Sequence, residues 1–237
     1  MIPRVIHYCW FGHNAKPKLT ERCVASWKKY CPDYEIIEWN EDNFDLGRHP
    51  YLSWCCQQGK WAFLSDYARL LILREHGGIY LDADVEIIRP LDPLLEYDAF
   101  FGFETEQYVN TGIGCGSVPH HPAIDSMLAY YEALEPGDDG SYPLKACPRI
   151  NTEALVRLGL TPNGERQQAG GAEILPSDWF NPYDDPTGRL RITENTYSIH
   201  WYQKSWIGKK SVFRSRLMRP LHRVFGTEAF KRFRKQR

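Results

Sequence analysis

No stretch of this sequence reaches the roughly 18 uninterrupted apolar residues that a membrane-crossing helix needs, so no such helix is expected. The opening Met1-Ile2-Pro3-Arg4-Val5-Ile6 has neither the length nor the cleavage pattern of a secretory leader, and the expectation is a cytosolic chain. Cysteine occurs seven times, at 9, 23, 31, 55, 56, 115 and 147. The number is odd, two of the residues are adjacent and no C-x-x-C spacing occurs, which argues against a disulfide frame or a zinc site and for reduced structural thiols. Internal repeats and low-complexity tracts are also missing. What remains, 237 residues with 43% hydrophobic and 14% aromatic content, is enough for one domain with a filled core.

The formal net charge of -1 conceals a segregation of charge. Residues 204–237 hold twelve Lys/Arg against the single acid Glu228, so the body before them is strongly acidic. Segregation of this kind speaks about partners and not about fold.

Ile2 to Trp10 is apolar and β-branched and reads as a buried first strand, followed by an amphipathic helix over about Thr20–Tyr30. Tyr34–Trp39 is a second strand candidate. Lys60–His76 reads as a strongly apolar helix stopped by Gly77-Gly78, with Gly77 suited to a left-handed C-cap. Short strands then flank two aspartates, at Ile79–Asp82 and Val85–Ile88, with further strands at Ala99–Phe103 and Thr111–Ser117 and helices at about Pro122–Leu134 and Asn151–Leu158. Glu135–Tyr142 has the composition of a mobile loop. Alternating strands and helices predict an α/β sandwich with ligands at the carboxyl ends of its strands.

Along a strand Tyr80, Asp82 and Asp84 would share one face; if the strand ends, they splay around a turn. Either way two carboxylates converge, and a hard divalent cation, Mn²⁺ or Mg²⁺, is the natural counter-charge. An Asp-x-Asp alone is more often a surface turn. Its surroundings carry more information: Asp66 and Arg69 lie three apart on a helix apolar nearly all round, where a buried ion pair needs a purpose.

Ile6-His7-Tyr8-Cys9-Trp10-Phe11-Gly12, Ser65-Asp66-Tyr67-Ala68-Arg69 and Gly77-Gly78-Ile79-Tyr80-Leu81-Asp82-Ala83-Asp84, in that order, resemble the DXD sugar-transferase family of yeast initiating α-1,6-mannosyltransferases and bacterial capsule glycosyltransferases. More distantly they are similar to the catalytic domain of clostridial glucosylating toxins. The resemblance covers residues 2–95 strongly and thins from there to about 206. It implies a GT-A-like nucleotide-sugar-binding sandwich with a mixed central sheet over 1–206, and leaves 207–237 as a basic, amphipathic, helical C-terminal tail. Residue by residue, it implies Trp10 stacked on the nucleobase, Asp66 and Arg69 on donor sugar hydroxyls, Tyr80 beside the ribose, and Asp82 and Asp84 facing the metal. His200-Trp201-Tyr202-Gln203-Lys204-Ser205-Trp206 is similar to the closing motif of the family. There His200 or Ser205 would complete the metal and diphosphate shell and Trp206 would cap the leaving phosphate. Asn110 and Asn151 fall where relatives offer amides to donor or acceptor hydroxyls. Trp10 read alone could equally be a core aromatic, His200 a structural histidine, and either asparagine a turn or N-cap residue.

The activity implied is a metal-dependent, retaining transfer of a hexose from a nucleotide-sugar, with a UDP-hexose favoured, to a glycan acceptor in bacterial surface or capsular polysaccharide synthesis. Aromatic residues among the cations of the tail describe an interfacial segment, so a peripheral position on the inner face of the cytoplasmic membrane and a lipid-linked acceptor are expected. Nucleic acid is not an expected partner, since the body is acidic and no nucleic-acid module is recognisable. Two rivals remain: a non-catalytic sugar-binding homologue, and a paired-aspartate phosphatase, which Val85-Glu86 after the second aspartate disfavours.

Overall fold

A computed structural model of the protein describes residues 1–203, 218–223 and 226. Its strands are β1 (Val5–Cys9), β2 (Glu35–Trp39), β3 (Gly78–Tyr80), β4 (Val85–Ile87), β5 (Ala99–Thr105), β6 (Tyr108–Ser117), β7 (Gln167–Ala169), β8 (Ala172–Leu175), β9 (Tyr183–Asp184), β10 (Arg189–Leu190) and β11 (Ser198–His200). The helices are α1 (Lys18–Tyr30), α2 (Pro50–Gln57), α3 (Trp61–His76), α4 (Pro122–Glu132) and α5 (Cys147–Arg157).

Seven strands form one mixed sheet in the order β2-β1-β3-β6-β5-β8-β7. Strands β2, β1 and β3 are parallel, β6 runs against both β3 and β5, and β8 is parallel to β5. The carboxyl ends of β1, β3, β5 and β8 therefore meet at one edge, where an open α/β sheet offers a crevice. This is the expected α/β sandwich with a mixed central sheet.

The apolar periodicity explains the two layers. In β5, Phe101 and Phe103 join the core beneath α2, α3, α4 and α5, while Phe100, the residue before them, turns to the opposite core with Trp27 of α1 and Phe180. Helix α3 is buried along most of its length, and its Tyr67 ring stacks on Tyr131 of α4 at 4.7 Å and 9°. An apolar circumference suits a helix covered by both the sheet and neighbouring helices.

Several boundaries differ from the sequence reading. Helix α2 has no counterpart in it. Helix α5 begins at Cys147, four residues before the expected start, because Pro148 occupies the first turn, where its missing N–H has no helical partner to lose. Strand β4 does not extend the main sheet but pairs with β11, Val85 opposite His200. Gly77 ends α3 with φ 63° and ψ -153°, a glycine-only conformation distinct from the left-handed cap expected. Its amide donates to Leu73 O at 2.9 Å, and its carbonyl lies 3.0 Å from His7 Nε2. Within the loop expected at Glu135–Tyr142, Gly137 and Ser141 close a hydrogen-bonded turn at 2.8 Å. All seven cysteines are free. Among the described residues no helix is long and apolar enough to cross a membrane. Residues 218–223 are helical, while the rest of 207–237 apart from Gly226, and the boundary at 206, lie outside the described residues.

Candidate functional site: a carboxylate turn at the sheet edge

Strand β3 stops at Tyr80, and the aspartates that follow occupy a turn, not one strand face. Asp82 N donates to Gly112 O at 3.0 Å and Val85 N donates to Asp82 O at 2.9 Å, which folds Ala83-Asp84 back. The β4–β11 pair then delivers His200 to the same place. One ligand atom from each of Asp82, Asp84 and His200 lies within 4.8 Å of the other two.

The electrostatics follow from burial. Burial alone would raise Asp84, but His200, with Nε2 3.3 Å from Asp84 Oδ1, and the Gln203 amide, 2.7 Å from Oδ2, outweigh it and hold the carboxyl below its usual range. Burial would likewise lower His200, yet Asp84 and then Asp82 prevail and raise it. Asp82 rises through burial, with Arg69 opposing and the Asp84 charge adding to the rise. Asp84 and His200 thus each favour the charged form of the other. His200 Nδ1 is buried without a partner among the described residues. Two facing carboxylates and an imidazole with one ligand atom close to both are a donor set that fits Mn²⁺ or Mg²⁺.

Behind the turn lies Arg69, whose side chain is 4% exposed. Its Nη2 sits 3.0 Å from Asp66 Oδ1 and 2.9 Å from Asp82 Oδ1. The guanidinium also lies over the Tyr80 ring at 4.8 Å, and Tyr80 OH donates to Asp82 Oδ1 at 3.2 Å. Burial pushes the Asp66 carboxyl up to about 6, Arg69 opposing and Asp82 reinforcing the rise. Gly112 must lack a side chain: a Cβ there would fall inside contact distance of Asp82 Oδ2 and 2.9 Å from Arg69 Nη1.

The structure brings Asp66, Arg69, Tyr80, Asp82, Asp84 and His200 together. Tyr80, expected beside the ribose, is 1% exposed, so what it offers the site is the hydroxyl that braces Asp82. Asn110 Oδ1 accepts from Gly112 N at 2.7 Å and so shapes the strand opposite Asp82. Asn151 is fully buried on α5, donating to Thr111 Oγ1 and Cys147 Sγ at 3.1 Å each, while its Oδ1 has no partner among the described residues. Trp10 is half-buried at the carboxyl end of β1, its indole N–H on Asn14 O at 2.8 Å. Ser205 and Trp206 lie outside the described residues.

Sequence reasoning passed over three neighbours of this centre. Cys147 Sγ lies 3.4 Å from Thr111 Oγ1 and 3.6 Å from Arg69 Nη1; burial pushes the thiol up to about 12, so it acts as a neutral filler. Glu104 closes β5, and Tyr202 follows the β11 histidine. Glu104 ends an apolar strand, the position where ligands gather, but only the sheet order shows that this end shares an edge with that of β3.

A profile described as the glycosyltransferase sugar-binding region containing a DXD motif matches residues 17–101, the span that holds Asp66, Arg69, Asp82 and Asp84. The chain belongs to this DXD-motif glycosyltransferase family. An uncharacterised glycosyltransferase, L373, of Acanthamoeba polyphaga mimivirus is 31% identical over 223 residues, 87% of this chain and 84% of its own. Inositol phosphoceramide mannosyltransferase 1 of Schizosaccharomyces pombe is 30% identical over 176 residues, 68% of this chain and 54% of its own. The chain spans about half of that relative and about a third of mannosyl phosphorylinositol ceramide synthase SUR1 of Saccharomyces cerevisiae, of which 36% is covered at 31% identity. Among solved structures, the galactosyltransferase LgtC with donor and acceptor sugar analogues superposes with a TM-score of 0.46 at 15% identity, over 96% of this chain and 99% of that one.

Replacing Arg69 by Met leaves Asp66 and Asp82 buried without their cation. A loss of about 3–5 kcal/mol in urea unfolding is expected, against a smaller loss for Arg69→Lys. A loss below about 1 kcal/mol for Arg69→Met would show that the guanidinium does not hold the two carboxylates.

Proposed function

We propose that the protein is a metal-dependent glycosyltransferase that moves a hexose from a nucleotide-sugar to a glycan acceptor. The observation that carries this reading is the convergence of Asp82, Asp84 and His200 at the end of β3, directly in front of the buried Asp66–Arg69 pair. Bound Mn²⁺ or Mg²⁺, held by Asp82, Asp84 and His200, would supply Lewis-acid neutralisation of the donor diphosphate.

The side chains divide the remaining work. Arg69, its Nη2 already engaged by two carboxylates, positions Asp66 and Asp82. Asp66, 14% exposed, keeps a carboxylate edge to accept a donor sugar hydroxyl. Tyr80 fixes the rotamer of Asp82. Trp10 offers an indole face at the neighbouring strand end for the nucleobase. Transfer with retention is the reading adopted: the bond from the anomeric carbon to the phosphate oxygen breaks, the acceptor oxygen bonds on the same face, and its proton passes to the departing phosphate oxygen.

The sequence favours a UDP-hexose. The mannosyltransferase names of the yeast relatives put mannose beside it, so GDP-mannose is tested on equal terms. A role in bacterial surface or capsular polysaccharide synthesis is kept as the setting. The test is thermal melting against UDP-, GDP- and CMP-sugars, each with and without Mn²⁺, alongside Asp84→Asn. A donor at a hundred times its dissociation constant adds about 2.7 kcal/mol, a rise of roughly 5–10 °C for this size. That rise is expected with one nucleotide class, only with metal, and not in Asp84→Asn; the absence of any nucleotide-dependent rise would overturn the reading. A product with inverted anomeric configuration would overturn retention alone.

The same proposal places the protein peripherally on the inner face of the cytoplasmic membrane, near a lipid-linked acceptor. The two basic residues of 204–237 that lie among the described residues are committed within the protein: Arg219 to Asp185 at 2.8 Å, and Arg223 to the carbonyls of Thr187 and Gly188 at 2.6 and 3.1 Å. At roughly 1 kcal/mol per basic residue near an anionic surface, half of the others suffice for binding at low salt. Flotation with phosphatidylserine vesicles is expected to carry the protein, and less so as salt rises; protein left at the bottom of the gradient at low salt would reject membrane association.

A further inference from the structure

A cleft of about 700 Å³ opens beside the carboxylate turn, a size in the range of small-ligand sites. Glu104, Asn181, Asp184, Arg191 and Tyr202 are among the residues that line it. Its inner wall is continuous with the metal-binding cluster: the Tyr202 ring lies 4.1 Å from that of His200, and the Glu104 charge is felt by both His200 and Asp66.

This wall is built by a directed chain of hydrogen bonds. Asn181 Nδ2 donates to Tyr202 OH at 2.7 Å and to Glu104 O at 3.0 Å, and Tyr202 OH donates to Glu104 Oε1 at 3.1 Å. Tyr202 is held at φ 49°, a left-handed backbone that a bulky residue adopts only when its surroundings impose it. One acceptor on this wall remains open: Glu104 is partly exposed in the cleft, and of its two carboxylate oxygens only Oε1 has a hydrogen-bond partner among the described residues. A carboxylate used on one oxygen can accept from a ligand hydroxyl with the other.

We propose that this cleft is the acceptor subsite, that it takes a neutral polyhydroxylated ring, a saccharide or cyclitol, and that Glu104 accepts from a ring hydroxyl next to the one to be glycosylated, whose own proton is left for the departing phosphate oxygen. This rests on the glycosyltransferase reading above. The ligand class follows from the donor and acceptor balance. The carboxylates of Glu104, Asp178 and Asp184 accept from hydroxyls and disfavour phosphate, while Arg191, whose side chain has no acidic partner among the described residues, can donate to a ring or hydroxyl oxygen. The position of Glu104 completes the argument. It stands at the end of β5, between the groups assigned to the donor and the space assigned to the acceptor, with Oε1 fixed by Tyr202 and Oε2 without a hydrogen-bond partner among the described residues.

Saturation-transfer NMR with methyl α-mannopyranoside and methyl β-galactopyranoside tests this on the intact chain, with the metal-dependent melting shift recorded on the same samples. At least one glycoside is expected to give a signal with the wild type. Glu104→Gln should weaken its binding about tenfold or more, Glu104→Asp should recover part of the loss, and Tyr202→Phe should fall between. The donor-induced melting shift should persist in all three variants, which also reports that they are folded. A signal unchanged in Glu104→Gln, a signal absent from the wild type with both glycosides, or a joint loss of glycoside signal and donor shift would overturn the assignment. If the wild type shows a Glu104-dependent glycoside signal but no nucleotide shifts its melting, the cleft assignment stands and the glycosyltransferase reading falls.

Discussion

The guanidinium of Arg69 is the contact on which the site depends. It is buried between α3 and the end of β3, and it ties a helix carboxylate, Asp66, to a loop carboxylate, Asp82, through one nitrogen. Burial works against the ionisation of both acids, and the guanidinium opposes that effect. The guanidinium therefore holds the turn after β3 against α3, while Tyr80 and the Gly112 carbonyl fix the Asp82 side chain and backbone. The bare Cα of Gly112 is the steric counterpart of the same constraint, because β6 must pass within van der Waals distance of both partners.

A second charge balance is set on the other side of the turn. Asp84 answers to His200, which β11 brings opposite Val85, and the backbone amide of Gln203 completes its shell. One turn thus carries two aspartates with different duties. Asp82 is tied inward to Arg69 and Tyr80, and Asp84 is tied to the segment after β11. A divalent cation between them would bind the two halves of the site to each other, so cation binding and ordering of the donor pocket are one event in this account. Tyr202, two residues beyond His200, extends the connection to Glu104 and the adjoining cleft.

Much of this was legible in the residues. Asp66 and Arg69 could be paired because a three-residue spacing on an apolar helix leaves them no other face to share. The α/β order could be read from alternating periodicities, and the family from three motifs in sequence. What could not be read was non-local. Whether Asp82 and Asp84 share a strand face is decided by the Gly112 carbonyl on another strand. The departure of β4 from the main sheet is decided by β11, far along the chain. Pro148 looks like a helix breaker until the helix is seen to start beneath it, which is why the Cys147 thiol beside Arg69 was passed over. Glu104 closes a strand that reads only as aromatic core, and nothing local shows that this strand end meets that of β3.

The central claim is that Asp82, Asp84 and His200 bind one divalent cation at the mouth of the Arg69 network. The most direct measurement is anomalous diffraction at the manganese edge from crystals grown with Mn²⁺ and UDP or GDP. The account predicts a single strong peak within coordination distance of both carboxylates and the His200 ring, and its loss in Asp84→Asn crystals. A peak at another site, or none between these three side chains while nucleotide is bound, would contradict it.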